Sequence, residues 1–306
     1  MRVDAGSLEA IALPPLELRL LRRRGRHRVA LEMAGTVGEL RFSGAAAAAL
    51  FRRRYRHMLT ARRAQMVAYA VTDETGTPFF WTGDAGPVYR WGRQALSDAE
   101  IAFLADAVAM TGFFRALDDT IALHAAALTD GYGAVAIVGA STAGKSTTAV
   151  ACVRRGLRLY SDEYCAITPN GVAPFPRALN LRRSGLEMLA REPGLPTGIT
   201  AVAAARCGGD WEDAGFDELF GTLHVPEPTP LRVVCAIVGT EAAPSAARIP
   251  PAAMLRYAKP WSKMKPRGLE GVRALLAALQ PTACYELRLG SPDATAQLVA
   301  RLVAAS

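Results

Sequence analysis

The sequence predicts an α/β fold built around a strand, a glycine-rich loop, a helix and a second strand. Ala134–Val138 is a short apolar run of the kind that forms a buried strand. The loop GASTAGKS follows at Gly139–Ser146, and Lys145–Arg155 is typical of a helix that ends before Gly156. Leu157–Tyr160 supplies the second strand, so this segment has the order of a βαβ unit with a parallel sheet.

Size and composition indicate one large and one small folded unit. The chain has 306 residues, of which 51% are hydrophobic and 21% charged, so a packed core is expected and wholesale disorder is not. We expect a small α+β unit over residues 1–115, suited to substrate recognition, and a larger unit with the loop over residues 116–306.

Local patterns predict the elements of both units. In the first unit, strands are expected at Leu16–Leu21, His27–Met33, Met66–Thr72 and Phe79–Thr82, and helices at Ala45–Met58 and from a Ser97–Glu100 capping box to Leu117. In the second, strands are expected at Ile121–Leu128, Tyr164–Thr168, Val172–Phe175, Leu231–Val238 and Cys284–Leu289, and helices at Arg183–Glu192, Gly268–Leu279 and Asp293–Ala304.

The net charge of +8 comes partly from arginine-rich segments. Arg22–Arg28 and Arg52–His57 are the densest of these, and Arg62 and Arg63 follow. A solvated basic face is the favoured interpretation, and a surface for an anionic partner is the alternative. A nucleic-acid partner is not expected, because the sequence contains no nucleic-acid-binding module.

The cysteines and the hydropathy pattern exclude several classes of protein. The five cysteines include no Cys-x-x-Cys pair, so neither a zinc site nor a disulfide framework is indicated. The N-terminal residues lack a signal-peptide pattern, and no apolar run is long enough to span a bilayer. A cytoplasmic location without a membrane partner is therefore the default expectation.

The glycine-rich loop is the motif that carries chemistry. The pattern G-x-x-x-x-G-K-[ST] is filled by Gly139, Ala140, Ser141, Thr142, Ala143, Gly144, Lys145 and Ser146. Glycines allow consecutive N–H groups to surround phosphate oxygens, and the positive end of the following helix adds to the attraction. Lys145 reaches the β- and γ-phosphates of ATP, the Ser146 hydroxyl can bind Mg²⁺, and Thr147 can lie near the α-phosphate.

Two carboxylates follow the second strand, in the sequence Ser161-Asp162-Glu163. At this end of a parallel strand a carboxylate faces the crevice where ligands bind, so it can hold Mg²⁺ or accept a proton. A polar turn is the competing interpretation, and spacing alone does not decide between them. His124, on the apolar strand before the loop, is by itself more typical of a core residue than of a ligand.

Basic residues elsewhere have two interpretations. Lys259, Lys263, Lys265 and Arg267 lie in the segment KPWSKMKPR, which is either a phosphate clamp or, as we favour, a solvated loop. The same alternatives apply to Arg177, Arg182 and Arg183.

The stretch from His124 to Thr168 resembles the catalytic domain of bacterial HPr kinase/phosphorylase and its smaller relatives. The family pattern is a histidine on a strand, G-x-S-G-x-G-K-S, a helix ending in R-G, and R-L-x-x-D-D; here it reads His124, GASTAGKS and RRGLRLYSDE. The resemblance implies a phosphoenolpyruvate-carboxykinase-like nucleotide fold. It also implies that Asp162 is the base toward a serine hydroxyl, that Glu163 is a second carboxylate near the metal with Ser146, and that His124 lies near the phosphates.

The chain departs from the family at several positions. Thr142 stands where the family has a glycine, and Glu163 stands where it has an aspartate. The family's later glycine-rich signature is replaced by FPRALNLRRSG, and residues 1–115 do not resemble its N-terminal domain. These departures argue against HPr as the acceptor and against the reverse, phosphorolytic reaction.

The favoured function is that of an ATP- and Mg²⁺-dependent serine kinase acting on a protein or a precursor peptide. Smaller relatives of this kind resemble kinases of peptide-modification clusters, such as those of lasso peptides. Two alternatives remain open: a kinase of a free amino acid or sugar on the same fold, and a nucleotide-dependent binding module without transfer activity. The sequence leaves open a homo-oligomeric state.

Overall fold

The chain folds into two compact units, Met1–Asp118 and Asp119–Ser306. The structure, a computed structural model, describes residues 8–83, 86–92, 95–117, 119–191, 211–214, 227–263 and 268–306. Helices and strands occur in both units, so the α/β class is confirmed. Within the described part of the chain, no helix is long and apolar enough to cross a membrane.

The first unit is a six-stranded sheet accompanied by helices. Its strands are β1 (Leu8–Ile11), β2 (His27–Met33), β3 (Thr36–Phe42), β4 (Met66–Thr72), β5 (Pro78–Thr82) and β6 (Val88–Trp91). Its α-helices are α1 (Pro15–Arg24), α2 (Ala45–Arg54) and α3 (Asp98–Ala116), and a 3₁₀ turn spans Arg56–Met58. The strand order is β1-β6-β5-β4-β3-β2, antiparallel except for β3 and β4, which α2 connects in parallel.

The strand expected at Leu16–Leu21 is wrong, because these residues form helix α1. Pro15 occupies its first turn, where a missing N–H costs nothing, and Glu17 lies near the positive end of the helix dipole. Arginines fill the last turn, where their positive charges interact favourably with the negative end of the helix dipole. The expected capping box of α3 is present, with the Ser97 hydroxyl accepting from the Glu100 backbone N–H.

A buried carboxylate ties α2 to α3 in the first unit. Asp106 of α3 is only 6% exposed. Arg54 Nη1 lies 3.2 Å from Asp106 Oδ2, and the Tyr55 hydroxyl donates to Asp106 Oδ1. A buried charge needs such partners, so this cluster fixes how the two helices pack.

The second unit contains the glycine-rich loop. Its strands are β7 (Ile121–Thr129), β8 (Ala134–Val138), β9 (Arg158–Ser161), β10 (Tyr164–Thr168), β11 (Gly171–Ala173), β12 (Leu179–Arg182), β13 (Trp211–Ala214), β14 (Leu231–Thr240), β15 (Ser245–Ile249), β16 (Ser262–Lys263) and β17 (Ala283–Leu289). Its helices are α4 (Lys145–Arg154), α5 (Arg183–Ala190), α6 (Pro251–Ala258), α7 (Gly268–Leu279) and α8 (Pro292–Ala304).

The sheet of the second unit is mixed rather than parallel around the loop. β8, β14 and β17 run parallel, but β7 pairs antiparallel with β8 along one edge and with β9 along the other. β8 and β9 therefore point the same way with β7 between them, and α4 crosses over β7. The cause is the tight turn from β7 to β8, in which Asp130 Oδ1 accepts from the backbone N–H groups of Tyr132 and Gly133.

The two faces of this sheet carry separate cores. Leu123, Ala125 and Ala127 of β7 belong to the core on the side of α6 and α7. Ala126 and Leu128 belong to the core on the side of α4 and α8. Because side chains alternate along a strand, His124 has the same parity as Ala126 and Leu128. It therefore lies on the sheet face that α4 covers.

Candidate functional site

Two left-handed residues fold the loop between β8 and α4 back on itself. Gly144 has φ +101° and Thr142 has φ +74°. The φ of Gly144 is one that glycine adopts without strain, whereas any other residue would be strained there whatever the space around it. Thr142 adopts the left-handed region although it is β-branched, which strains the backbone at the position where the sequence departs from glycine.

The lysine of the loop is buried. Lys145 is 7% exposed, and its Nζ donates to the carbonyl oxygens of Gly139 at 2.9 Å and Ala140 at 3.1 Å. Burial lowers the pKa of Lys145, while the negative charges of Glu163 and Asp162 act in the opposite direction. The amine therefore lies inside the loop and within electrostatic reach of both carboxylates.

A hydroxyl-stabilised turn presents the two carboxylates. β9 ends at Ser161, whose Oγ accepts from the backbone N–H groups of Glu163 at 3.1 Å and Tyr164 at 3.0 Å. The Glu163 carbonyl oxygen accepts from the Ala125 N–H of β7 at 3.1 Å. Asp162 is 2% exposed and Glu163 is half-buried. Backbone bonds on both sides thus fix the direction in which these side chains leave the turn.

His124 contacts Glu163 directly. Its Nδ1 lies 2.9 Å from Glu163 Oε1, and the pairing of β7 with β10 sets His124 opposite Tyr164. The structure therefore brings together the histidine and the carboxylate that were expected near one another. An imidazole N–H donated to Glu163 fixes the orientation of that carboxylate.

Arg177 is the residue whose place in the site the sequence left undecided. Its side chain is 2% exposed, with Nε 4.0 Å from Asp162 Oδ1 and Nη2 3.6 Å from Glu163 Oε2. The Phe175 carbonyl oxygen accepts from the Arg177 N–H at 2.9 Å, and the Phe175 N–H itself donates to Tyr160 of β9 at 3.0 Å. An arginine in an apolar, proline-flanked stretch soon after the carboxylates is the signal that indicates such a partner.

A glycine of α5 lies against the first turn of α4. A Cβ at Gly185 would be 2.7 Å from Thr147 Oγ1, closer than real Cβ atoms come to such a neighbour. Ser146 and Thr147 are both half-buried. The absence of a side chain at Gly185 is thus what lets α5 approach the residues expected to meet phosphate and metal, a role that the sequence analysis missed.

Only part of the basic segment near residue 260 is described. Lys259–Trp261 forms a 3₁₀ turn, and β16 pairs Ser262 with Leu123 of β7, next to His124. Lys265 and Arg267 lie outside the described residues, as do the side chains of Lys263, Arg182 and Arg183. The expected loop therefore begins beside the strand that carries His124.

The donor atoms of the site suit a hard cation. Among the described residues, no group of three or more His, Cys, Asp and Glu side chains could hold a metal ion. Mg²⁺ commonly takes only one or two protein oxygens and completes its shell with water and phosphate. The Ser146 hydroxyl and the carboxylates of Asp162 and Glu163 are donors of this type.

Fold and site together define a mixed α/β protein in which a glycine-rich loop, a buried lysine and two carboxylates interact. No protein-family model matches the chain, and a search of curated proteins finds no match. The residues of the site are therefore what indicate its chemistry.

Proposed function

We propose that this protein is an ATP-dependent kinase that transfers the γ-phosphoryl group to a serine hydroxyl of a protein or precursor peptide. The observation that carries the proposal is that β8 and β9 point the same way on either side of β7 and end at nearly the same level, so the loop with Lys145 and the turn with Asp162 and Glu163 follow neighbouring strand ends. The negative charges of both carboxylates accordingly act on the Lys145 amine, in the direction that raises its pKa. A loop that only binds phosphate requires no carboxylates nearby. Phosphoryl transfer requires a group that receives or orients the acceptor hydroxyl and groups that hold the metal.

The loop and α4 would bind the nucleotide. The backbone N–H groups of the loop and the positive end of α4 attract phosphate oxygens. The Lys145 amine donates hydrogen bonds to the Gly139 and Ala140 carbonyl oxygens. With nucleotide bound, it would donate instead to β- and γ-phosphate oxygens. The Thr147 hydroxyl, in the first turn of the helix, would lie near the α-phosphate.

Ser146, Asp162 and Glu163 would hold the metal. Mg²⁺, when bound, supplies positive charge that neutralises the phosphate oxygens during transfer. His124 donates to Glu163 and so holds its carboxylate in one orientation. Arg177 lies beside both carboxylates and balances part of their negative charge.

Asp162 would act on the acceptor. Its carboxylate accepts the proton of the serine hydroxyl, whose oxygen forms a bond to the γ-phosphorus. The bond from that phosphorus to the β–γ bridging oxygen breaks, and ADP leaves with the electron pair. A positioned general base contributes about 10²- to 10⁴-fold to such a rate.

The resemblance of the His124–Thr168 segment to HPr kinase/phosphorylase supports a serine acceptor and a phosphoenolpyruvate-carboxykinase-like nucleotide fold. The missing later signature favours the smaller peptide-modifying relatives over a regulator of HPr. The arginine-rich first unit would recognise the acceptor. A cytoplasmic site of action follows from the need for ATP.

The test replaces Asp162 with asparagine. Phosphorylation of candidate peptides with MgATP is followed by mass spectrometry, and MgATP affinity is measured by calorimetry. For Asp162→Asn we expect transfer to fall about 10²- to 10⁴-fold, with the affinity for MgATP reduced far less, because the loop and Lys145 still hold the phosphates and Ser146 and Glu163 still face the metal. Asp130→Asn is the matched control, because Asp130 serves only the turn between β7 and β8.

Three results would displace the proposal. Wild-type transfer by Asp162→Asn would remove Asp162 from the reaction. Labelling of a free amino acid or sugar alone would make the protein a small-molecule kinase. Tight MgATP binding without transfer to any acceptor would make it a nucleotide-dependent binding protein.

A further inference from the structure

The first unit contains a cavity that phosphoryl transfer does not use. Its volume is about 580 Å³, within the range of ligand pockets. It lies where the end of α1 meets the beginnings of α2 and α3, so every residue around it belongs to the first unit. None of the loop or carboxylate residues of the candidate site lines it.

Basic side chains outnumber acidic ones around this cavity, three to two. Arg23, Arg24 and Arg26 line it. Arg23 and Arg26 are exposed, whereas Arg24 Nη2 lies 2.8 Å from Glu74 Oε1. The first lysine of the chain is Lys145, so all basic side chains of the first unit other than histidine are arginines. Arginine presents a planar fork of N–H donors that binds carboxylates with two parallel hydrogen bonds.

The beginning of α2 adds to this positive potential. Gly44 and Ala47 line the cavity, and Gly44 provides the cap without a side-chain hydrogen bond. The first turn of α2 contains no acidic residue, but Asp98 of α3 lies beside the cap, with Oδ1 3.3 Å from where a Cβ of Gly44 would be, and offsets part of the positive end of the helix dipole. The arginines therefore supply most of the positive potential in this space.

Apolar side chains share the cavity with the arginines. Leu20 and Ile101 line it together with Ala47. Leu20 is 53% exposed, and Leu16, one turn earlier on α1, is 69% exposed. Exposed leucines beside clustered positive charges suit a ligand that combines carboxylates with an apolar side chain.

We propose that this cavity binds an acidic segment of a peptide or protein, with carboxylates on Arg23 and Arg26 and an apolar side chain against Leu20. Glu74 and Asp98 also line it, but Arg24 pairs with Glu74, so the carboxylates of the ligand would meet the exposed Arg23 and Arg26. Among the described residues, no aromatic side chain on which a base could stack lines it. Only the identification of this ligand with the phosphate acceptor rests on the proposed function.

Binding is measured by fluorescence anisotropy without nucleotide, using a fluorescein-labelled peptide of alternating glutamate and leucine. For the double variant Arg23→Glu/Arg26→Glu we expect affinity to fall about tenfold or more, the equivalent of 1.4 kcal/mol. The matched control is Arg28→Glu/Arg63→Glu, which changes the charge equally at exposed arginines outside the cavity. The control should stay within about twofold of the wild type, and Leu20→Ser should weaken binding several-fold.

The outcomes separate this inference from the kinase proposal. Equal losses of peptide affinity in the two double variants would show that overall charge, rather than the cavity, causes the effect, and would overturn the proposed peptide site. Displacement of the peptide by equimolar single-stranded DNA or by inorganic phosphate would assign the cavity to another ligand and overturn it as well. Asp162→Asn should bind the peptide like the wild type, so loss of transfer without loss of binding tests the kinase site alone.

Discussion

His124 Nδ1 and Glu163 Oε1 lie 2.9 Å apart, and this contact joins strand β7 to the turn between β9 and β10. The two residues are far apart in the sequence and meet because β7 pairs with β10. A histidine that orients a carboxylate in this way acts on whatever the carboxylate holds.

Replacement of His124 should impair transfer through Glu163. We expect His124→Phe to lower the rate about 10- to 100-fold, the usual effect of losing the partner of a metal ligand. His124→Gln retains an N–H donor and should retain more activity. The apparent affinity for Mg²⁺, measured at saturating ATP, should fall in the same order. If both variants lose activity equally, the hydrogen bond to Glu163 is not the cause.

Removal of the Lys145 charge should change both the pH dependence of the free energy of unfolding and the affinity for MgATP. Burial lowers the pKa of Lys145 below 10.5, so between its folded-state pKa and 10.5 the unfolded chain binds the proton more tightly. This side chain's contribution to the free energy of unfolding therefore rises with pH in that window. Lys145→Met should lack this rise and should bind MgATP at least about 30-fold more weakly, because losing one partner of a buried charge pair costs about 2 kcal/mol or more.

Urea unfolding of both proteins between pH 8 and about 10.5 measures the difference. Lys259→Met, at an exposed lysine, serves as the control. A constant difference between wild type and Lys145→Met across this range would contradict the buried position of the amine.

Relief of the strain at Thr142 should stabilise the protein. A β-branched residue at φ +74° costs about 1–2 kcal/mol, and glycine adds a smaller entropy cost in the unfolded chain. For Thr142→Gly we expect a gain of roughly 0.5–1 kcal/mol in the free energy of unfolding. Thr142→Val keeps the strain and should show no gain. Destabilisation by the glycine would mean that the threonine side chain contributes contacts worth more than the strain.

A side chain at Gly185 should push α5 away from α4. Gly185→Ala gains about 1 kcal/mol of helix propensity, but its Cβ would lie 2.7 Å from Thr147 Oγ1. We therefore expect weaker MgATP binding without the gain in stability. The double variant with Thr147→Ala removes the hydroxyl and should recover the gain. Additive effects of the two substitutions in a double-mutant cycle would show that the residues do not touch.

Two ion pairs of the first unit should differ sharply in their contribution to stability. Asp106→Ala leaves Arg54 buried without this partner and should cost about 3–5 kcal/mol. Glu32→Ala breaks the exposed contact with Arg62 at 2.6 Å and should cost less than about 1 kcal/mol. Urea denaturation measures both. Similar losses would contradict the burial of Asp106.

Elements with a strong local signal were predictable from sequence. A run of apolar residues, two glycines at the spacing of the loop motif and a helix ending at Gly156 locate β8, the loop and α4 without knowledge of the rest of the chain. The capping box of α3 is equally local, since Ser97 and Glu100 are three residues apart. At Leu16–Leu21, by contrast, the apolar positions suit both periods, and the flanking prolines and arginines decide for a helix.

Relationships between distant segments were beyond the local patterns. The insertion of β7 between β8 and β9 depends on pairing across the sheet, so a parallel βαβ arrangement was the natural expectation. Arg177 reaches Asp162 and Glu163 only because the β10–β11 hairpin returns the chain to β9. The cavity of the first unit combines one of the arginine segments with the start of α2, which no single stretch of sequence shows.

Strand β7 leaves little freedom for changes in chain length. Its first half pairs with β10 and β16 and its second half with β8 and β9. The register of all four neighbouring strands therefore depends on the length of β7. One residue inserted just after His124, with the second half held in register by β8 and β9, would exchange the two faces of the first half and carry the imidazole to the wrong side of the sheet. Natural or engineered insertions compatible with the site therefore belong in the turn after Thr129, outside the paired residues of β7.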